Sequence, residues 1–278
     1  MTNAANRDLG RFIINVVAFL LVLTYAIPYV YLVSTSLKPA ADVQQIPPSF
    51  FPSRLTLENF RTVLSTPSLP MAFKNSLIVA VLTTLLSLVL AVPAAYVATQ
   101  YRRRITVVFL LFALITRMVP AVSLGVPLFM LLKSMGLLDT TFGLVLAHTS
   151  SAVPLALLLM AAFFEGIPKE LEEAARMDGC TRFMAFIKVI LPVMRSGISI
   201  TALFSFIASW NEFLFALLLT SENSKTAPIV IAEYNSVYSL AWGPMTAAAV
   251  LYSLPVILVT LILQKQIIGG LTFGAVKG

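Results

Sequence analysis

Long apolar runs separated by polar breaks set the pattern of this chain. Six of them, at residues 12–36, 76–99, 105–132, 142–164, 193–220 and 244–263, are long enough to cross a bilayer, since a helix needs about 20 residues to traverse about 30 Å of hydrocarbon. The pattern predicts an all-α integral membrane protein with six transmembrane helices. The first run is too long for a cleaved signal segment and lacks a small-residue cleavage site, so it reads as a retained anchor. The breaks are unequal. Those at 37–74 and 221–243 are extended on one side of the membrane, and the one at 165–192 is extended on the other.

Composition agrees with a lipid-solvated fold. The chain has 278 residues, 59% of them hydrophobic and 11% charged, with a mean hydropathy of +0.92. That is more apolar surface than a soluble fold of this length buries. The formal net charge of +7 would point to nucleic acid in a soluble protein, but here it is explained by where the cations fall relative to the membrane. Cys180 is the one cysteine, so neither an intrachain disulfide nor a zinc cluster is available.

Lysine and arginine set the orientation. With the N-terminus inside, the cytoplasmic breaks hold Arg7, Arg11, Arg102, Arg103, Arg104, Lys169, Arg176, Arg182, Lys188, Arg195, Lys265 and Lys277, and these outnumber the cations of the outer breaks. The positive-inside bias therefore predicts both termini in the cytoplasm. The outer break 37–74 contains PPSFFPSRLTLENF, an extended crossing followed by a surface helix starting near Thr56. The outer break 221–243 carries Asn223, Tyr234, Asn235, Tyr238 and Trp242. Those amides and aromatics suit contact with a partner protein or a carbohydrate, or else an interfacial aromatic belt.

The cytoplasmic segment 168–197, PKELEEAARMDGCTRFMAFIKVILPVMRSG, is the most informative. Pro168 suits a first helical position, Glu170, Glu172 and Glu173 fall at the positive helix end, and Gly179 suits the residue just past its close. A helix over 168–178 follows, with Ile167, Leu171, Ala174 and Ala175 on one face. Thr181 caps a second helix in which Phe183, Phe186, Ile187 and Ile190 share a face, and Pro192 marks the break into the fifth span. Amphipathic helices lying on anionic lipid favour basic faces. Three glutamates fit a protein partner better.

Glu173-Ala174-Ala175, then Asp178-Gly179, then Val189-Ile190-Leu191-Pro192 resembles the EAA loop of permease subunits of bacterial ATP-binding-cassette importers. LVSTSLKP at 32–39, WNEF at 210–213 and GGLTFGAVKG at 269–278 are similar to the maltose-type carbohydrate branch. The resemblance implies the type I importer permease fold as a single transmembrane domain over 1–278, in a bacterial cell membrane. It implies a second related permease, two ATPase subunits, an extracytoplasmic solute-binding protein, and a sugar or sugar-like solute, with glycerol-phosphate and glycerophosphodiester compounds as alternatives. It assigns Glu172, Glu173, Ala174, Ala175, Asp178 and Gly179 to ATPase coupling. Leu271, Thr272, Gly274 and Lys277 of the tail 266–278 would contact the ATPases, and Asn223, Tyr234, Asn235 and Tyr238 the binding protein. ATP and Mg2+ would sit on the partner subunits, with no cofactor or metal on this chain. No G-x-x-x-x-G-K-[ST] phosphate cradle occurs in the sequence.

Intramembrane polar residues are functional candidates by default. Arg117, Asn211 and Glu212 are the candidates for the solute path. An Arg117 to Glu212 ion pair faces a depth mismatch of roughly 10 Å at 1.5 Å per residue, which snorkelling partly closes. Alternatively, Arg117 meets backbone carbonyls around a kink expected at Pro120. His148 reads as a hydrogen-bonded packing residue, since no acidic relay accompanies it. Gly197, Thr201, Ser205 and Ser209 form a small-residue stripe suited to close helix packing. Two other classes fit less well. An ion-coupled secondary transporter calls for inverted repeats and midplane acids, and an intramembrane enzyme for a nucleophile–base pair or a histidine cluster.

Overall fold

The computed structural model describes residues 2–101, 103–236 and 239–273. In chain order the helices are α1 (Thr2–Ser36), α2 (Ala40–Val43), α3 (Glu58–Ser65), α4 (Ser68–Tyr101), α5 (Arg103–Met118), α6 (Ala121–Ser134) and α7 (Thr141–Glu165). They continue with α8 (Glu170–Met177), α9 (Arg182–Ala185), a π-helical turn (Phe186–Ile190), α10 (Leu191–Val193), α11 (Arg195–Trp210), α12 (Leu214–Leu219), α13 (Ala227–Glu233) and α14 (Trp242–Phe273). A two-residue antiparallel pair, β1 (Asn235–Ser236) with β2 (Ser239–Leu240), precedes α14.

Four helical stretches are long and apolar enough to cross a membrane among the described residues: Gly10–Ser36, Ser68–Gln100, Thr141–Glu165 and Trp242–Gln266. The third and fifth expected spans are not straight. α5 and α6 bend by 93° at Pro120, and the 182–193 stretch meets α11 at 75°. Counting each bent pair as one span restores six. The first bend has a local cause. Proline cannot donate to the preceding turn and pushes the residue before it out of the helical region, and Pro120 instead starts α6 with an extended ψ of 128°.

The chain packs as two compact units, residues 1–69 with 231–253, and residues 70–230 with 254–278. In the first, the Asn59 amide donates to the carbonyls of Ser36 and Lys38, both at 2.9 Å, tying the end of α1 to α3. Tyr29 and Ser253 share a hydroxyl hydrogen bond of 2.8 Å.

In the second unit α7 is the axis, with 56% of its apolar window buried. Two apolar clusters lie along it. Toward its N-terminal end, Leu144, Val145 and Ala147 pack with Val79, Leu132, Phe215 and Leu219. Toward its C-terminal end, Ala156, Met160 and Phe164 pack with Ala91, Ala95, Tyr96, Ile190 and Met194. Small residues let α11 approach α7 closely. Gly197, Thr201, Ser205 and Ser209 are all buried, and an alanine methyl at Gly197 would sit 2.8 Å from the Phe163 ring. Without a hydrophobic drive between helices in lipid, this close contact and the polar bonds it permits supply the cohesion. The small-residue stripe thus packs as expected.

Candidate functional site

α8 begins at Glu170, and its glutamates lie at the positive end of the helix dipole. It ends in a Schellman motif: Cys180 N–H donates to the Ala175 carbonyl at 3.0 Å and Gly179 N–H to the Arg176 carbonyl at 3.1 Å. Gly179 has φ of +88°, a left-handed conformation that costs an L-residue roughly 1–2 kcal/mol. The Thr181 hydroxyl then accepts from Met184 N–H at 3.2 Å and starts α9. Helix, glycine hinge and second cap all stand where the sequence placed them.

The faces differ from expectation. Ala175 is buried, but Ala174 and Leu171 are exposed, and the second inward residue is Glu172, at 8% exposure. Its carboxylate accepts from the Tyr96 hydroxyl of α4 at 2.8 Å. Glu173, one residue and about 100° further round the helix, is exposed with Glu170, Arg176, Met177 and Asp178. Glu173, Arg176, Met177, Gly179, Cys180 and Thr181 line a shallow hollow of about 560 Å³. Phe183 and Ile187 point outward while Ile190 is buried and Phe186 half-buried, so the four do not share a face. The π-helical turn at 186–190 adds backbone per turn and rotates the register between the two pairs.

A second polar centre joins α7 to α11. His148 Nδ1 is 2.8 Å from Ser209 Oγ, and Nε2 is 3.1 Å from Glu212 Oε2. This contact bridges α7 and the segment that follows α11. Glu212 also accepts from Phe215 N–H at 2.8 Å and Ala216 N–H at 3.1 Å, capping α12. The expected absence of an acid beside His148 is therefore corrected. Residues 64 positions apart meet because α11 breaks after Trp210 and turns Glu212 back toward α7.

Arg117 does not pair with Glu212. It is exposed in the last turn of α5, where the negative end of the helix dipole favours a cation. Asn211 is exposed at the end of α11. Neither shares the His148 contact.

The outer end of α7 holds a carboxylate that sequence reading missed. Asp139, with φ of +53°, accepts from four consecutive backbone amides, those of Ser221 (2.9 Å), Glu222 (3.2 Å), Asn223 (3.1 Å) and Ser224 (3.2 Å). The Asn223 side-chain amide at 3.0 Å and the Ser224 hydroxyl at 2.9 Å add two more donors. Burial alone would raise this carboxyl's pKa. The amides of Ser221, Asn223 and Glu222 overturn that and hold it far below the usual carboxylate range. Asn223, a binding-protein candidate, is thus committed within the chain. Tyr234 is half-buried and Asn235 exposed in β1. Tyr238, Gly274 and Lys277 lie outside the described residues, and Leu271 and Thr272 fall on the α14 backbone.

Residues 87–270 match the family described as "Binding-protein-dependent transport system inner membrane component". The trehalose transport system permease protein SugB of Mycobacterium tuberculosis is 38% identical over 93% of this chain and 95% of its own length. The trehalose/maltose transport system permease protein MalG of Thermococcus litoralis is 34% identical over 97% and 98%. Among solved structures, a chain of a bacterial ABC transporter involved in import of the acidic polysaccharide alginate superposes with a TM-score of 0.76 at 25% identity, covering 94% of this chain and 97% of that one. A family match over two-thirds of the sequence, with relatives aligned end to end, selects a transport subunit over an intramembrane enzyme or an ion-coupled carrier. The chain belongs to the inner-membrane permease family of binding-protein-dependent transport systems.

Proposed function

We propose that this permease moves a sugar or sugar-like solute inward, driven by ATPase subunits that push on α8. The solute class is supported by the names of relatives that share almost the whole chain, which specify trehalose, trehalose with maltose, and alginate. A second permease, two ATPase subunits and an extracytoplasmic binding protein complete the assembly. ATP and Mg2+ belong to the ATPase subunits.

One observation supports the coupling role most directly: α8 is held by its inner face and left open on its acidic outer face. Glu173, Asp178 and the hollow beside Gly179 form a capped surface for a cytoplasmic partner to grip. A basic residue of the ATPase facing Glu173 gives the contact its sign. The tail, from Leu271 and Thr272 through Gly274 to Lys277, provides a second contact with the ATPases.

The test is Glu173→Lys in the assembled importer. Like-charge juxtaposition at an interface costs several kcal/mol, so uptake into proteoliposomes should fall about a hundredfold. Membrane insertion of the variant should match the wild type. Uptake that stays at the wild-type rate would overturn the assignment.

A further inference from the structure

The two adjacent glutamates of α8 divide the work. Glu173 faces out, and Glu172 is turned into the second unit, against α4. A buried carboxylate is costly unless its oxygens are engaged, and a hydroxyl donating to an ionised oxygen makes a short, strong bond. Tyr96 supplies that donor at 2.8 Å. The tyrosine is itself fixed. It is 5% exposed, and its ring lies 4.6 Å from Phe186 of the π-helical turn and 5.6 Å from Phe164 of α7. One turn further along α4, the Gln100 side-chain amide donates to the Phe164 carbonyl at 3.3 Å.

The covalent chain links α8 only to α7 and, through the π-helical turn, to α11. A side-chain bond to a different span runs from Glu172 to Tyr96 of α4. We infer that Tyr96 is a positioning residue for coupling: its hydrogen bond to Glu172 latches α8 to α4, so that α4 moves with the loop when the ATPases push. This rests on the coupling role proposed for the loop. An apolar residue at 172 would pack as well, as exchanges of buried polar groups for hydrophobic ones of similar volume commonly do. What it would lack is direction, because a hydrogen bond holds one geometry and an apolar contact slides.

The test measures whether α8 and α4 stay together through the nucleotide cycle. Spin labels go on Val97→Cys of α4 and Lys169→Cys at the start of α8, both exposed and outside the hollow beside Gly179, in a Cys180→Ser background. The complete importer, with its binding protein and ATPases, is compared without nucleotide and trapped with Mg-ATP and vanadate. The wild type should give one narrow distance, the same in both states. Losing a hydrogen bond to an ionised group raises the detached population by about tenfold or more, so Tyr96→Phe should add a second, longer distance in the trapped state. Glu172→Gln, which keeps an acceptor oxygen, should retain the narrow distance, and Glu172→Leu should lose it.

A wild-type distance that changes on trapping overturns the latch. So does a Glu172→Leu variant that holds as tightly as the wild type, because packing alone would then suffice. Glu173→Lys separates this outcome from failure of the coupling reading. If that variant stops uptake while the Tyr96→Phe distance stays narrow, the latch alone is wrong. If it leaves uptake intact, the loop's coupling role is wrong whatever Tyr96 does.

Discussion

At its N-terminal end α7 is preceded by Asp139, whose carboxylate is enclosed by four amides, a side-chain amide and a hydroxyl. At its C-terminal end, about 37 Å away for 25 residues of helix, α7 is followed by a loop in which Glu172 is engaged and Glu173 is open to solvent. The outer carboxylate spends its hydrogen-bonding capacity inside the chain, and the inner pair keeps half of its own for a partner. A closed acid specifies a loop's shape, while an open acid specifies what the loop will meet. The same residue chemistry therefore serves folding at one end of the helix and recognition at the other.

Asp139→Ala should break this comparison most severely. It strands the 221–224 amides, and unsatisfied donors cost about 1–3 kcal/mol each when buried. Part of that is recovered by water at this half-exposed site, so the net loss should be about 3 kcal/mol, read as a lower melting temperature of the purified protein. Glu173→Ala should stay within about 0.5 kcal/mol in the same assay, as exposed substitutions usually do. Equal losses would erase the distinction between the two ends.

Gly179→Val should have a middle effect confined to the inner end. A β-branched residue at φ of +88° costs about 1–2 kcal/mol and loosens the Schellman turn. ATPase co-purification should drop while the outer clamp stays intact. Retention of normal co-purification would show that the hinge geometry does not matter for docking.

The smallest effect is in pH. Asp139 has a folded pKa held far below that of the unfolded chain, so it contributes stability that is fully present above the unfolded value near 4 and lost as pH falls toward the folded one. The melting temperature should therefore be flat in this contribution from pH 7 to about pH 4 and decline below it. In Asp139→Asn the decline should be shallower. An identical slope in both proteins would remove the clamp from the pH response.

Local signals were legible in the sequence, and distant meetings were not. Gly179, Thr181 and Pro120 act within one turn of themselves, so helix-stop, cap and kink could be read from their neighbours. The same holds for the stripe from Gly197 to Ser209, whose spacing of four residues is a property of one helix. Asp139 meets its amides across 82–85 positions, Tyr96 meets Glu172 across 76, and His148 meets Glu212 across 64. No local pattern encodes those pairings, because they depend on how the spans bend. The inward turn of Glu172 was missed for a related reason: a glutamate beside an obvious docking glutamate reads as surface until its tyrosine is seen.

The contact of Gly197 with Phe163 has one further consequence. Where α11 crosses the end of α7, the missing side chain at Gly197 leaves room for Phe163, whose ring a Cβ there would meet at 2.8 Å. The spacing between the two helices at this crossing is therefore set by one ring against one glycine, with no slack for an added carbon. Even an alanine there would have to push Phe163 aside or wedge the helices apart, so the end of α7 and the start of α11 keep their separation through the smallest residue available.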